Sequence, residues 1–178
     1  MAAAELGNIS DRRCYLLLEG KWGLPVLLMQ NVGLNSGYMI PQYTTAALVT
    51  ENKTLCFPAS ADSIPTSLGQ EDHVSMGSIS GRKVNQIIDN LEYILAIELL
   101  SAAQAIEFRR PLKSSALLEF AHSFLRGHVS FANEDRIFAV DVEKAAGLLR
   151  SFDFVNSVSQ FAKEQGLALN KGYEQFEL

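Results

Sequence analysis

The feature that most constrains this fold is a long run of apolar residues at helical spacing in the middle of the chain. The run predicts a helix over residues 73–108, with apolar side chains recurring at three and four residues: Ile87, Ile88, Leu91, Ile94, Leu95, Ala102, Ala105 and Ile106. Thirty-six helical residues would be roughly 54 Å long, whereas a compact domain of 178 residues is roughly 40 Å across. The sequence therefore predicts either a break at Ser80-Gly81 or an elongated helical bundle.

Further helices are predicted on both sides of this run, and no segment shows the alternation typical of a strand. The predicted ranges are 1–19, 38–52, 115–127, 141–151 and 153–164. Asn35 or Ser36 is expected to cap the second helix, which is apolar on nearly every side and is expected to be buried all round. Asp141 and Asp153 are expected to cap the last two helices. The predicted class is all-α, a long-helix bundle.

Composition excludes several classes of partner. Fifteen Lys and Arg residues against twenty Asp and Glu residues give a net charge of −5, so nothing attracts a nucleic-acid backbone. No run approaches the ~20 apolar residues of a membrane helix, and no membrane partner is expected. Cys14 and Cys56 are far apart and lack metal-site spacing, which favours reduced thiols and a cytoplasmic protein.

The densest functional chemistry lies at Gln70-Glu71-Asp72-His73, after an irregular segment at 57–69 that is rich in proline and serine. Two carboxylates and an imidazole could exchange protons there. A less specific interpretation is that Asp72 caps the following helix, Glu71 favours its positive end and His73 lies at the surface. Adjacent carboxylates point in different directions, which argues against a metal site.

Other polar candidates are weaker. His122 and His128 are expected to be exposed on a short helix, and Glu107 is expected to lie on a solvated helix face. Tyr38 is expected in the core or an interface. Nothing in the spacing of these residues favours a catalytic group over a structural one.

Several long motifs in series resemble the C-terminal part of histidine ammonia-lyases, members of the aromatic amino-acid ammonia-lyase family. In chain order the motifs are Leu34-Asn-Ser-Gly-Tyr-Met-Ile-Pro-Gln, Glu51-Asn-Lys-Thr-Leu, Pro58-Ala-Ser-Ala-Asp-Ser-Ile-Pro-Thr-Ser, Gln70-Glu-Asp-His-Val-Ser-Met-Gly, Leu95-Ala-Ile-Glu-Leu and Arg110-Pro-Leu-Lys-Ser-Ser. The resemblance covers almost the whole chain except about the last dozen residues. It implies a single helical fragment over 1–178, with an ordered substrate-side loop at 55–72.

The resemblance implies a lyase that eliminates ammonia from L-histidine to give trans-urocanate. Its electrophile is a methylidene-imidazolone (MIO) cofactor, which such lyases make from an internal Ala-Ser-Gly. This sequence has no Ala-Ser-Gly; the nearest runs are Ala59-Ser60-Ala61 and Ser80-Gly81. We therefore expect a fragment of about the last third of a typical member, forming no cofactor and inactive alone.

One substrate-site residue is implied by the resemblance. Glu71 matches the glutamate that faces the substrate imidazole in histidine ammonia-lyases, where phenylalanine lyases carry a glutamine, and Gln70 would be a neighbouring polar contact. A carboxylate can accept the ring N–H and favour its cation. The alternatives are a fragment of a phenylalanine or tyrosine ammonia-lyase or aminomutase, and a non-catalytic helical interaction module.

The resemblance also implies a homotetramer built around a shared helix bundle. Because the central helix is so long, we expect four of its apolar positions to lack partners within the chain: Leu91, Ile94, Leu95 and Leu99. Aliphatic surface left in water is unfavourable by roughly 25 cal/mol per Å². We therefore expect the chain to self-associate.

Overall fold

The structure is a computed structural model that describes residues 1–167, so the predicted single unit over 1–178 extends beyond the described residues. Those residues form six α-helices and no β-strand, which confirms the all-α class. The helices are α1 (Ala2–Leu18), α2 (Met39–Leu55), α3 (Gly77–Phe108), α4 (Ala116–Arg126), α5 (Phe138–Arg150) and α6 (Asp153–Glu164). No helix within 1–167 is both long and apolar enough to cross a membrane.

Helix α3 is continuous through Ser80-Gly81 and is the centre of the fold. Its 32 residues correspond to roughly 48 Å at 1.5 Å per residue. Helices α1, α2 and α5 pack along it, α4 contacts its C-terminal region, and α6 packs on α4 and α5. The elongated bundle is therefore the correct alternative of the two that the sequence left open.

The core surrounds the C-terminal half of α3. Its fully buried members include Leu28, Tyr38, Ala96, Leu100, Leu125 and Ala145. In contrast, residues 77–86 of α3 are all exposed except Lys83, which is partly buried. The N-terminal third of the helix thus projects beyond the body formed by the other helices.

The expectation that four α3 positions lack partners within the chain is wrong for Ile94, which is fully buried, whereas Leu91, Leu95 and Leu99 are partly buried. The reason is that α1 approaches α3 closely at Gly7. A Cβ atom at Gly7 would lie 3.1 Å from Cδ1 of Ile94. The absence of a side chain at this position lets the two helices meet.

Helix α2 is not buried all round. Its buried residues, Pro41, Thr45, Val49 and Asn52, lie on one face at spacings of three and four, whereas Ile40 and Tyr43 are 57% and 66% exposed. Burial on this helix thus follows a polar and small-residue stripe that packs on α1 and α3. The prediction of burial on every side was wrong because apolar residues also occupy the exposed side.

The expected caps are also wrong at several helix starts. Helix α2 follows Tyr38 with no side-chain cap, and α5 begins three residues before Asp141. Asp141 instead accepts a hydrogen bond from Nε of Arg136 at 2.7 Å. Helix α6 begins at Asp153 itself, after Phe152 in a left-handed conformation. Asp141 and Asp153 instead accept hydrogen bonds from the side chains of Arg136 and Ser151, and helical spacing does not predict that competition.

The segment 19–38 folds against α3 and is fixed by Asp135. The two carboxylate oxygens of Asp135 accept the backbone N–H groups of Ser36 and Gly37, each at 2.7 Å. Gly37 has a φ of +56°, and a Cβ there would lie 2.5 Å from the Leu27 carbonyl oxygen. The close turn that brings Tyr38 into the core therefore requires glycine at this position.

Gln104 joins three parts of the fold through one fully buried amide. Its Nε2 donates to the carbonyl oxygens of Leu28 at 3.2 Å and Ala132 at 2.8 Å. Its Oε1 accepts the Ala132 N–H at 3.2 Å. The side chain thereby satisfies backbone groups of two irregular segments that have no partner in a helix.

We predict that Gln104→Leu lowers the free energy of unfolding by roughly 2 to 4 kcal/mol, because three buried backbone groups lose their hydrogen bonds. Urea denaturation followed by circular dichroism measures the change. The matched control is Gln160→Leu on the exposed face of α6, expected to change stability by less than about 0.5 kcal/mol. Equal effects of the two substitutions would contradict the role assigned to Gln104.

Candidate functional site

The irregular segment between α2 and α3 lies at the projecting end of α3. As the proline and serine content predicts, it contains no long regular element; its one helical turn is a 3-10 turn at Ser67–Gly69. The segment is held by few contacts. The ammonium of Lys83 donates to the Phe57 carbonyl oxygen, and the Val74 N–H donates to Oγ of Ser63 at 3.0 Å.

A tight turn within this segment brings Thr66 and Glu71 together. The Thr66 N–H donates to the Glu71 carbonyl oxygen at 2.8 Å, and the Glu71 N–H donates to the Thr66 carbonyl oxygen at 3.3 Å. Three consecutive residues between them, Ser67, Leu68 and Gly69, have φ values of +55°, +58° and +84°. The first two are in a conformation that non-glycine residues rarely adopt.

Glu71 presents its carboxylate at the surface of this turn. The Thr66 hydroxyl donates to Oε2 of Glu71 at 2.7 Å, and among the described residues Oε1 has no hydrogen-bond partner. Gln70 is the preceding residue and is also exposed. The two residues named from the sequence therefore lie side by side, with one carboxylate oxygen free to accept a hydrogen bond.

Asp72 and His73 face a neighbouring cleft of about 680 Å³ between the 59–63 stretch and the start of α3. Its lining is mostly polar and comprises Ala59, Ser60, Ala61, Asp62, Ser63, Asp72, His73, Val74, Ser75, Met76, Gly77 and Ser80. The four-residue run Gln70 to His73 is thus divided between the turn and the cleft. Within 1–167, no group of three or more His, Cys, Asp or Glu side chains is placed to hold a metal ion.

The less specific interpretation of the run is partly wrong. Helix α3 begins at Gly77 after Met76, with no side-chain cap, so Asp72 lies too far upstream to cap it. His73 is exposed, as that interpretation expects. Helix capping therefore does not explain the presence of the Asp72 carboxylate before α3.

Most of this chain matches a known protein family. Residues 1–127 match the sequence model of the family described as aromatic amino acid lyase. The chain belongs to the aromatic amino acid lyase family. Within that lyase family, the helical bundle described above is the shared architecture, and the loop that bears Glu71 lies inside the matched range.

Several histidine ammonia-lyases are similar to this chain. The chain is 52% identical over 151 residues to histidine ammonia-lyase of Aliivibrio fischeri strain MJ11, covering 84% of this chain and 30% of the relative. It is 48% identical over 161 residues to histidine ammonia-lyase of Pseudoalteromonas atlantica, covering 90% of this chain and 32% of the relative. The chain therefore spans about 30% of the length of these curated relatives.

Solved structures of the lyase family share the backbone. The crystal structure of histidine ammonia-lyase from Trypanosoma cruzi is 47% identical with a TM-score of 0.84, covering 89% of this chain and 31% of that chain. Tyrosine aminomutase from Streptomyces globisporus is 34% identical with a TM-score of 0.85 and the same coverage of both chains. The backbone thus fits a lyase and an aminomutase equally well, and substrate choice must depend on side chains.

A second polar cluster, at the junction of α3 and α4, was not recognised from the sequence. His122, expected to be exposed, is only 8% exposed, and its Nε2 lies 3.1 Å from Oε1 of Glu107. Nε2 of His122 has no hydrogen-bond partner among the described residues, so this close approach is not a hydrogen bond. Arg126 contacts the same Glu107 oxygen at 3.3 Å, and Nη2 of Arg110 lies 3.4 Å from Nδ1 of His122.

The surroundings of His122 favour its neutral form. Burial lowers the pKa of the imidazole most, and the Arg126 and Arg110 guanidiniums lower it further, whereas the Glu107 carboxylate and a hydrogen bond with the Ala103 backbone raise it. A guanidinium can only donate, so Nδ1 of the neutral ring accepts from Arg110 and the ring proton resides on Nε2. This histidine connects α4 to the C-terminal end of α3 and lies outside the segment that bears Glu71.

Two other titratable groups are also structural. Tyr38 lies in the core, where it is 1% exposed, and this burial raises the pKa of its phenol to about 12. Burial, followed by the nearby charge of Glu98, raises the pKa of the Cys14 thiol to about 12. Neither group is poised to exchange a proton or react near neutral pH.

We predict that His122 makes the stability of the chain pH-dependent. The pKa of His122 is lower in the folded chain than the value of about 6.5 in unfolded chains, so the unfolded state binds the proton first as the pH falls. The free energy of unfolding should be constant above about pH 6.5 and decrease below it. His122→Asn should flatten this slope in urea denaturation between pH 7 and pH 5. The control is His128→Asn at an exposed position; equal changes of slope in both variants would contradict the prediction.

Proposed function

We propose that this chain is the part of a histidine ammonia-lyase that supplies the carboxylate recognising the substrate imidazole, Glu71. The observation that carries the proposal is the exposed Glu71 carboxylate, with Oε1 left free by a turn that engages Oε2. About half of the aligned residues are identical to those of proteins named histidine ammonia-lyase, and this identity supports the same substrate. Residues 55–72 would then be the substrate-side loop.

The chemistry of Glu71 suits an imidazole. A carboxylate is only an acceptor, so its free oxygen can take the ring N–H and favour the protonated ring. An amide at the same position would offer a donor and no charge, which suits an uncharged aromatic ring. Gln70 would contribute a second polar contact next to it, and L-histidine would be held at the tip of the loop.

The reaction proposed for the whole enzyme is elimination of ammonia from L-histidine to give trans-urocanate. The methylidene-imidazolone (MIO) of the lyase family would supply the electrophile, but residues 1–178 contain no Ala-Ser-Gly from which to form it. The residues present therefore do not fit that group, and the role proposed for this chain is recognition. We accordingly propose that residues 1–178 alone form no cofactor and do not turn over histidine.

A different substrate is the main alternative, favoured by the likeness to tyrosine aminomutase at 34% identity and a TM-score of 0.85. A fragment of a phenylalanine or tyrosine lyase or aminomutase would share this bundle. Glu71 argues against it, because an uncharged ring that covered this carboxylate would remove its hydration without compensation. Histidine remains the substrate proposed here.

A non-catalytic helical module is the second alternative. Like the proposed enzyme, such a module would associate with other chains through exposed apolar side chains. Exposed apolar side chains follow the projecting part of α3 at Ile79, Val84 and Ile88. We propose that these residues meet other subunits of a homotetramer. The setting proposed for such an enzyme is the cytoplasm, in keeping with the free thiols of Cys14 and Cys56.

We predict that Glu71→Gln lowers kcat/KM for histidine roughly 10- to 100-fold in a full-length lyase carrying residues 1–178 as its C-terminal portion, because a charged hydrogen bond to the imidazole is lost. Urocanate absorbance measures the rate. Glu134→Gln makes the same chemical change at another exposed position and is expected to leave kcat/KM unaltered.

Two outcomes would count against this assignment. Unchanged kinetics in Glu71→Gln would remove the reason for naming histidine, and turnover of phenylalanine or tyrosine by the parent would favour the alternative. In the same assay, residues 1–178 alone should give no urocanate. Robust turnover by residues 1–178 would contradict the proposal that they are inactive alone.

We predict that residues 1–178 self-associate in solution at micromolar concentration, because the apolar residues on the projecting part of α3 are exposed to water. Light scattering should report a mass above the 19.6 kDa of one chain. Val84→Lys combined with Ile88→Lys should reduce that mass, whereas Ile137→Lys at another exposed apolar position should not. A well-behaved monomer of the unaltered chain would contradict the prediction.

A further inference from the structure

We propose that Thr66 is a positioning residue for Glu71 and thereby sets the affinity of the site for the imidazole of its substrate. The proposal rests on the function proposed for Glu71 and adds a second residue to it. Thr66 itself would not contact the substrate. Its role would be to fix which carboxylate oxygen of Glu71 faces the ligand and where that oxygen lies.

The hydrogen bonds between these two residues involve every polar group of Thr66. Its N–H and its carbonyl oxygen pair with the backbone of Glu71, and its hydroxyl donates to Oε2 of Glu71 at 2.7 Å. The backbone pair fixes where the Glu71 side chain begins, and the hydroxyl fixes where it ends. Both ends of a flexible side chain are therefore determined by one neighbour.

The turn between the two residues has little else to hold it. Ser67 and Leu68 are in the left-handed region, which is unfavourable for side chains with a Cβ atom, and the Leu68 side chain is fully exposed. Burial thus gives no compensation for this conformation. The bonds made by Thr66, including the one its carbonyl oxygen accepts from the Gly69 N–H at 3.0 Å, close the turn.

The charge on Glu71 fixes the direction of the hydroxyl bond. A carboxylate has no hydrogen to donate, so the Thr66 hydroxyl must donate to Oε2 and cannot donate elsewhere at the same time. Oε1 remains to accept a hydrogen bond from an imidazole N–H. A carboxylate that binds one donor on each oxygen is held in a single orientation, whereas without Thr66 it would rotate among several.

The substitutions that test this role differ by single atoms or groups. Thr66→Val keeps the shape and removes the hydroxyl, and Thr66→Ser keeps the hydroxyl. The matched control is Thr50→Val on α2, where the exposed threonine hydroxyl donates only to the Ala46 carbonyl oxygen of its own helix at 2.8 Å. All three are made in the full-length lyase used for Glu71 and in residues 1–178.

In the full-length lyase, Thr66→Val is expected to raise KM for histidine roughly fivefold with a smaller change in kcat, because an oriented hydrogen bond to the ligand is weakened. Thr66→Ser should restore KM to within about twofold of the parent, and Thr50→Val should not alter it. In a Glu71→Ala background, Thr66→Val should have no further effect, since Thr66 acts through the carboxylate. Equal KM in the parent and in Thr66→Val, or equal damage by Val and Ser, would overturn the proposal.

A separate measurement on residues 1–178 distinguishes failure of this proposal from failure of the proposed function. Three-bond NMR couplings of the Glu71 side chain should report one rotamer in the parent and in Thr66→Ser, and averaging in Thr66→Val. Averaged couplings in all three would overturn the positioning role alone. If Glu71→Gln leaves histidine kinetics unchanged while the couplings behave as expected, the substrate role is overturned although Thr66 does hold Glu71.

Discussion

Helix α3 imposes the main constraint on this structure, because a helix of 32 residues needs several neighbours to cover its apolar sides. Helices α1, α2 and α5 provide that cover along its length, and the buried amide of Gln104 connects its C-terminal half to the irregular segments on either side. These helices do not cover the first ten residues of α3, 77–86, which are exposed except for the partly buried Lys83. The body of the protein and the irregular segment that bears Glu71 consequently lie at opposite ends of one helix.

Helical periodicity was sufficient to predict the helices and the all-α class, since it reflects local spacing that tertiary packing then uses. It failed where non-local partners decide the outcome. Asp141 binds Arg136 and does not cap α5, and His122 is buried because Glu107 and two arginines from other turns surround it. Helix α2 shows the same limit, because its buried stripe includes Thr45 and Asn52, whereas the apolar side chain of Ile40 is exposed.

For the candidate site, the sequence predicted the irregular loop and Glu71 but not the contact between Glu71 and Thr66. Prolines and serines predicted an irregular loop, and the resemblance of one motif singled out Glu71. The pairing of Glu71 with Thr66 depends on left-handed φ values at Ser67 and Leu68, which neither residue type favours, so spacing alone could not predict it. The likeness of the backbone to a histidine ammonia-lyase and to a tyrosine aminomutase shows why side chains had to carry the substrate argument.

Because α3 is one continuous helix, a small rotation of its packed end moves the loop at its other end. From buried Leu100 to Gly77 the helix runs for roughly 35 Å, so a tilt of only about 2° at the packed end displaces the other end by about 1 Å. A displacement of that size is enough to impair a catalytic arrangement substantially. Substitutions deep in the core, far from any substrate, can therefore alter the alignment of the loop while leaving every residue of the loop unchanged.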